Sequence, residues 1–268
     1  MEVDKVNAQR VREFYGDPVV VRHYQRATAN IGLWESEEIV FRRVFRPEDR
    51  ILELGTGTGR IAHGLAELGF RHLMGIDLSR EMIMEARRIN KVLESGVAFR
   101  QGDATHLKFE DGLFDGAIFG FNGLMQIPGR ESRRCALREI HRVLRPGGAF
   151  VFTTHDRNFS SQRRYWEREK QLWDRGKQKR ELIEFGDRFD ETELGKLYIH
   201  IPTPEEVRAE LNACGWKCEW DSLRSAIAHE SPSTRQFSDE CRFWVARKPA
   251  VQPGRERVIP PECPEPAP

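Results

Sequence analysis

A chain of 268 residues, 39% hydrophobic and 10% aromatic, holds enough apolar side chain for one sizeable α/β core, and its 32% charged content gives that core a well-solvated surface. With 43 Lys and Arg against 42 Asp and Glu the net charge is +1, so the chain as a whole lacks the bias that grips a nucleic-acid backbone. No run approaches the roughly 20 apolar residues that span a bilayer, the segment Met1–Asp17 has no secretory apolar core, and the cysteines Cys135, Cys214, Cys218, Cys241 and Cys263 form no Cys-x-x-Cys pair; the expectation is a cytoplasmic protein with reduced thiols, no metal and no membrane contact.

In chain order, residues 1–46 read as helical and aromatic-rich, with Phe14, Tyr15, Tyr24 and Trp34 placed to cap the open end of a sheet. From Arg50 to Thr154 short apolar runs alternate with amphipathic stretches, the pattern of βαβ units around a parallel sheet. The expected strands are Ile51–Leu54, His72–Ile76, Val97–Arg100, Phe114–Phe119 and Ala149–Thr154. Between them fall helical stripes at Ile61, Leu65 and Leu68, at Met82, Ile83, Ala86, Ile89 and Leu93, and at Leu137, Ile140 and Leu144.

Residues 157–200 break this alternation and read as an inserted helical cap, with Tyr165, Trp166, Glu169, Leu172 and Trp173 on one side of a helix. That stripe suits helix core better than an acceptor wall, and the basic run from Arg163 to Arg180, interleaved with Glu167, Glu169, Asp174 and Glu181, suits a solvated face. Thr203-Pro204-Glu205-Glu206 has the residues of a capping box with Pro in the first turn, and Gly215 stops that helix. Trp216–Leu223 and Cys241–Ala246 are expected to pair as antiparallel strands. The stretch 249–268 holds seven of the 14 prolines and is expected to be a disordered tail.

The densest signal is Ile51-Leu52-Glu53-Leu54-Gly55-Thr56-Gly57-Thr58-Gly59-Arg60, a strand entering a glycine-rich turn and then a helix. Glycines let the backbone turn sharply and approach a ligand, and the helix start offers free N–H groups. A dinucleotide fingerprint would space them G-x-G-x-x-G; here the spacing is G-x-G-x-G, and Glu53 stands before the first glycine, where it repels pyrophosphate and suits an ammonium beside a sulfonium. Asp77 ends the second strand, where a carboxylate accepts both hydroxyl protons of a ribose. Gly102-Asp103-Ala104 follows the third strand, where an acid can accept from an adenine amine, and Phe114–Asn122 opens onto the same crevice, because ligands of parallel sheets sit beyond the carboxyl ends of the strands.

The ordered set ILELGTGTGR, GIDLS, FRQGDA, FDGAIFGFN and LREIHRVLRPGGAFVFTTH resembles the class I S-adenosylmethionine-dependent methyltransferases over roughly residues 50 to 155. The resemblance implies a Rossmann-like, mostly parallel seven-stranded sheet with helices on both faces and an antiparallel last strand. It further implies that Glu53, Gly55, Thr56 and Gly57 hold the methionine end of the cofactor, Asp77 the ribose, Leu78 and Met82 a face of adenine, and Gly102, Asp103 and Ala104 its edge. Phe119 and Asn122 would line the floor near the methyl group, and Tyr24 is the aromatic expected to close over the sulfonium.

On this reading 47–248 is a methyltransferase domain with a cap insertion at 157–200, preceded by a helical segment 1–46. S-adenosylmethionine donates a methyl group to a small acceptor and leaves as S-adenosylhomocysteine. If the acceptor must lose a proton, His155 and His200 are the candidate bases. The absence of an Asn- or Asp-Pro-Pro-Tyr run after the fourth strand, where Phe119-Gly120-Phe121-Asn122 stands, argues against nucleic-acid bases as acceptors. The two competing readings are a nicotinamide-dependent oxidoreductase on the same sheet and an adenosylmethionine-binding regulator that transfers nothing.

Overall fold

The structure, a computed structural model, describes residues 5–159 and 162–250. Cys263 and all but the first two residues of the expected Pro-rich tail lie outside the described residues.

Three helices open the chain: α1 (Ala8–Gly16), α2 (Pro18–Asn30) and α3 (Glu35–Val44). Each start is fixed locally. Asn7 accepts from the Arg10 amide at 3.0 Å and Asp17 from the Val19 amide at 2.7 Å, ahead of Pro18, while the Glu37 carboxylate reaches back to the Trp34 amide at 2.9 Å. Then β1 (Arg50–Leu54), α4 (Arg60–Glu67), β2 (His72–Asp77), α5 (Arg80–Leu93), β3 (Ala98–Gln101), β4 (Phe114–Phe119), α6 (Arg130–Val143) and β5 (Leu144–Thr154) alternate as the periodicity requires. The chain closes with α7 (Arg163–Asp174), β6 (Asp187–Thr192), β7 (Gly195–His200), α8 (Pro204–Ala213), β8 (Lys217–Leu223), the short α9 (Arg224–Ile227) and α10 (Pro232–Phe237), and β9 (Arg242–Arg247).

Seven strands form one sheet in the order β3-β2-β1-β4-β5-β9-β8, with β1 to β5 parallel and β9 running against both β5 and β8. Side chains alternate across it. Ile51, Ile118, Val151 and Phe243 meet α3 and α4 on one face, while Leu52, Leu54, Phe150, Phe152 and Trp244 meet α6 and α8 on the other. Such burial on both faces makes the strands continuous apolar runs.

Two elements differ from the sequence expectation in extent. Leu144, the last member of the α6 stripe, is already extended and opens β5: it pairs with Phe114, after which the register moves on to Gly116 opposite Ala149 around the Arg145–Gly148 turn. The segment read as an insertion, residues 157–200, carries the expected helix as α7 and also a hairpin, β6 paired with β7, whose buried Phe189 and Tyr198 stand among charged neighbours. Trp166 is buried in the core and meets Phe185 edge-on at 5.9 Å. Part of the charge on α7 is paired along the helix, Arg163 with Glu167 and Lys170 with Asp174.

The N-terminal helices are tied to the sheet by a buried ion pair. Arg60, at the first turn of α4, grips Glu37 of α3 with two hydrogen bonds of 2.6 and 2.7 Å, donates to the Gly32 carbonyl at 2.8 Å, and stacks over Trp34 at 4.7 Å. Glu230 accepts from the Glu35 and Ser36 amides, linking the same corner to the C-terminal segment.

Candidate functional site

The carboxyl ends of β1 to β4 open on a cavity of about 1010 Å³, roofed by α1 and α2. Tyr24, Glu53, Gly55, Thr56, Gly57, Asp77, Leu78, Met82, Gly102, Asp103, Ala104 and Phe119 all line it.

The glycine turn needs its glycines for two reasons. Gly55 lies at φ 61°, and a Cβ there would stand 2.8 Å from the Phe119 ring; Gly59, which begins α4, lies at φ 88° with Phe99 and His63 equally close. Gly55→Ala is therefore expected to cost about 1–2 kcal/mol in left-handed backbone and about 1 kcal/mol more as Phe119 is displaced. A thermal melt should show a fall of about 4–9 °C.

Glu53 is buried at the end of β1, and its Oε2 accepts from the Thr56 hydroxyl at 2.6 Å and the Ala62 amide at 3.1 Å. Burial pushes its carboxyl up to about 8, against the opposing pull of Thr56 and Arg60. Asp77 is held symmetrically: Oδ2 accepts from the Gly57 amide and Oδ1 from the Ser79 amide, both at 2.8 Å. Each carboxylate oxygen has more than one acceptor site, so the pair can still receive hydroxyl donors. Burial raises Asp77 to about 6 even against these donors. At Asp103 the Thr105 amide and hydroxyl both bind Oδ1, at 2.8 and 2.7 Å, which leaves Oδ2 as the oxygen for a ligand amine. Leu78 and Met82 add an apolar wall beside these acids.

Overhead, the Tyr15 hydroxyl donates to Gln126 at 2.6 Å, and the Tyr15 and Tyr24 rings lie 5.8 Å apart. Burial raises Tyr24 to about 12, so it stays a neutral phenol. Thr28 of α2 meets Thr58 of the glycine turn at 2.7 Å, which sets the roof directly on the loop. Phe121, Gln126, Ile183 and Phe237 also line the cavity. Phe121 falls within the FDGAIFGFN motif, whereas no motif marks Gln126, Ile183 or Phe237, which segments far apart in the chain bring there.

Three expected site residues fall elsewhere. Asn122 is buried but absent from the lining: its amide turns away to His155, Nδ2 to Nε2 at 3.1 Å. His155 is also off the cavity, because its Nδ1 faces the Glu240 carbonyl at 2.9 Å, so both ring nitrogens are engaged. His200 pairs with Asp187 across the β6–β7 register and binds its Oδ1 at 2.8 Å, a buried contact away from the cavity. Burial lowers both histidines. Glu184, Asp187 and His200 gather donor atoms within 4.8 Å, but Arg133 binds Glu184, and Tyr198 with the Ile183 and Glu184 amides binds Asp187.

A methyltransferase domain family matches residues 51–148, the segment that supplies the glycine turn and the acids at the strand tips. Over that segment the chain is similar to a methyltransferase domain. The chain is 32% identical over 164 residues to a demethylmenaquinone methyltransferase of Symbiobacterium thermophilum, covering 57% of this chain and 61% of that one. It is 31% identical over 119 residues to phosphoethanolamine N-methyltransferase 2 of Caenorhabditis elegans, covering 44% and 26%. The chain thus spans less than two thirds of the length of these relatives. Among solved structures, an S-adenosylmethionine-dependent methyltransferase of Methanosarcina mazei superposes with a TM-score of 0.63 at 20% identity, covering 79% of this chain and 98% of that one. The [4+2]-cyclase SpnF superposes with a TM-score of 0.66 at 20% identity, covering 94% and 100%. These establish the fold.

S-adenosylmethionine is the cofactor of this domain family, and the cavity suits it on its own terms. Glu53 and Asp77 line the cavity beside the glycine turn, and carboxyl groups there suit a ligand with an ammonium and vicinal hydroxyls better than the pyrophosphate of a dinucleotide. Among the described residues no helix is long and apolar enough to cross a membrane.

Proposed function

We propose that the protein transfers the methyl group of S-adenosylmethionine to a small-molecule acceptor. One observation supports it above the rest: Glu53, Asp77 and Asp103, at three successive strand tips, face a single cavity beside the glycine turn.

When bound, the cofactor supplies a methyl carbon on a positively charged sulfur, open to in-line displacement, and the sulfur leaves neutral. The chain's own work is therefore binding, orientation and exclusion of water, levers that reach effective molarities of about 10⁵ M or more. In this reading Glu53 with Gly55, Thr56 and Gly57 receives the ammonium end, Asp77 the ribose, Asp103 the adenine edge, and Tyr24 covers the sulfonium with its ring face. The remaining wall mixes apolar Val6, Val11, Ile127, Pro128 and Ile183 with polar and charged Asn7, Gln9, Arg12, Glu13, Gln126 and Glu131. No histidine or lysine stands among the described lining residues. Such a pocket favours an acceptor already nucleophilic without a strong base, such as an electron-rich ring carbon, a neutral amine or an ionised oxygen. The acceptors in the names of two relatives, demethylmenaquinone and phosphoethanolamine, differ in size and polarity, but neither is a macromolecule.

The raised carboxyls give the binding a pH signature. A bound cation and two hydroxyl donors favour ionised Glu53 and Asp77, so below their pKa values of about 8 and about 6 binding must expel protons. Affinity for S-adenosylhomocysteine or S-adenosylmethionine is expected to strengthen as pH rises from about 5 to about 8 and then to level. Calorimetry at about pH 6.5, between the two pKa values, in buffers of different ionisation enthalpy should register net proton release. Uptake of protons would contradict the assigned contacts.

The function itself is tested by incubating the protein with methyl-labelled S-adenosylmethionine and a metabolite extract, then searching by mass spectrometry for products heavier by one labelled methyl. Thermal stabilisation by a nicotinamide dinucleotide, and none by S-adenosylmethionine or S-adenosylhomocysteine, would favour an oxidoreductase instead.

A further inference from the structure

His155 has the chemistry of a base but the surroundings of a clamp. At the end of β4 the chain makes a turn in which two successive non-glycine residues, Phe121 and Asn122, lie in the left-handed region at φ 49° and 58°. Such residues cost energy and persist only where their surroundings over-determine them. Phe121 lines the cavity between Gly120 and Gly123, and its ring meets Tyr24 edge-on at 6.0 Å, Trp34 at 5.8 Å and Phe237 at 5.1 Å. The turn therefore fixes one wall of the cavity and the partner surface of its roof.

What holds the turn is visible in the hydrogen bonds of Asn122. Its amide N–H donates to the Thr153 hydroxyl at 2.8 Å, and its side-chain Nδ2 faces His155 Nε2 at 3.1 Å. The side-chain oxygen is buried with no partner among the described residues, so His155 is what orients this amide. The tautomer follows from chemistry. The Glu240 carbonyl only accepts, so Nδ1 must carry the proton; Nε2 is then the bare lone pair that receives the Asn122 N–H.

We propose that His155 is a positioning residue: clamped as the Nδ1–H tautomer between the Glu240 carbonyl and the Asn122 amide, it holds the left-handed Phe121–Asn122 turn and through it the cavity wall against which the cofactor sits. The proposal rests on the reading of the cavity as an adenosylmethionine site.

The test uses the full chain, S-adenosylhomocysteine as the probe, and two variants that split the ring's contacts. His155→Gln can place an amide oxygen where Nε2 accepts from Asn122; His155→Asn reaches only the Glu240 side. Calorimetry is expected to show about tenfold weaker binding for His155→Asn, the effect of one oriented hydrogen bond, and recovery to within about threefold of the parent for His155→Gln. Equal binding by parent and His155→Asn, or equal loss in both variants, would overturn the clamp. Failure of the parent itself to bind the probe would instead remove the adenosylmethionine reading on which the clamp depends. The imidazole ¹⁵N spectrum of the parent protein decides independently of ligand and of variant folding. A single Nδ1–H tautomer is expected at neutral pH, and an Nε2–H ring or a mixture refutes the proposal.

Discussion

Asp77→Asn is expected to weaken S-adenosylmethionine binding about 100-fold, because two charge-assisted hydrogen bonds to ribose hydroxyls are lost or reduced at once and each contributes about 1.5–3 kcal/mol. The geometry makes the loss larger than a count of ligand contacts suggests. Each oxygen of Asp77 already accepts one backbone N–H, from Gly57 and from Ser79. An asparagine offers one oxygen and turns an NH₂ group toward the other amide, so the hold on the glycine turn loosens as well.

Stability should not follow affinity downward. The carboxyl has a folded pKa raised to about 6 from a usual 3.8, so its favourable contribution to folding is complete below about pH 4 and is lost as pH rises through about 6. The amide of the Asp77→Asn variant carries no charge to desolvate, which offsets the lost backbone contact, so the variant should melt close to the parent at about pH 7.5, above that pKa, although it binds far less ligand. Calorimetry with S-adenosylhomocysteine and a melt at the same pH read the two quantities separately. Unchanged affinity would remove Asp77 from the ribose contact.

The second large effect concerns the roof. Glu37→Gln is expected to destabilise the protein by about 3–5 kcal/mol, because it leaves the Arg60 guanidinium buried without its counter-charge. Glu37 is only 1% exposed, and both its oxygens are taken by Arg60. A midpoint fall of about 6–15 °C should follow in a thermal melt. Replacing both residues, Glu37→Met with Arg60→Met, should cost less than Glu37→Gln alone, since no charge is stranded. If the single variant melts within a degree or two of the parent, the pair is not holding α3 to α4.

The alternating block of strands and helices is legible in the sequence because its apolar residues recur at the strand and helix periods, and because a sheet buried on both faces leaves short, dense apolar runs. The glycine turn is legible for a different reason: the positive φ angles at Gly55 and Gly59 are local demands that few other residues meet. Asp77 and Asp103 can be placed because each directly ends or follows a strand, and parallel strands carry their tips to one rim. The β6–β7 hairpin escapes such a reading because Asp187, Arg188, Asp190 and Glu191 dilute its alternation.

His155, His200 and Asn122 stand near strand ends, and proximity along the chain does not fix where a side chain points. Asn122 follows β4 closely, yet its left-handed backbone turns its amide toward His155, not into the cavity. His200 is held by Asp187 through strand pairing that no local pattern announces. The sequence by itself thus determined the sheet, the glycine turn and the acids at its rim, all consequences of periodicity and local backbone chemistry. Only the tertiary structure decided which loops close the cavity, what pairs with Arg60 and which way the histidines face, because those depend on contacts between residues tens to hundreds of positions apart.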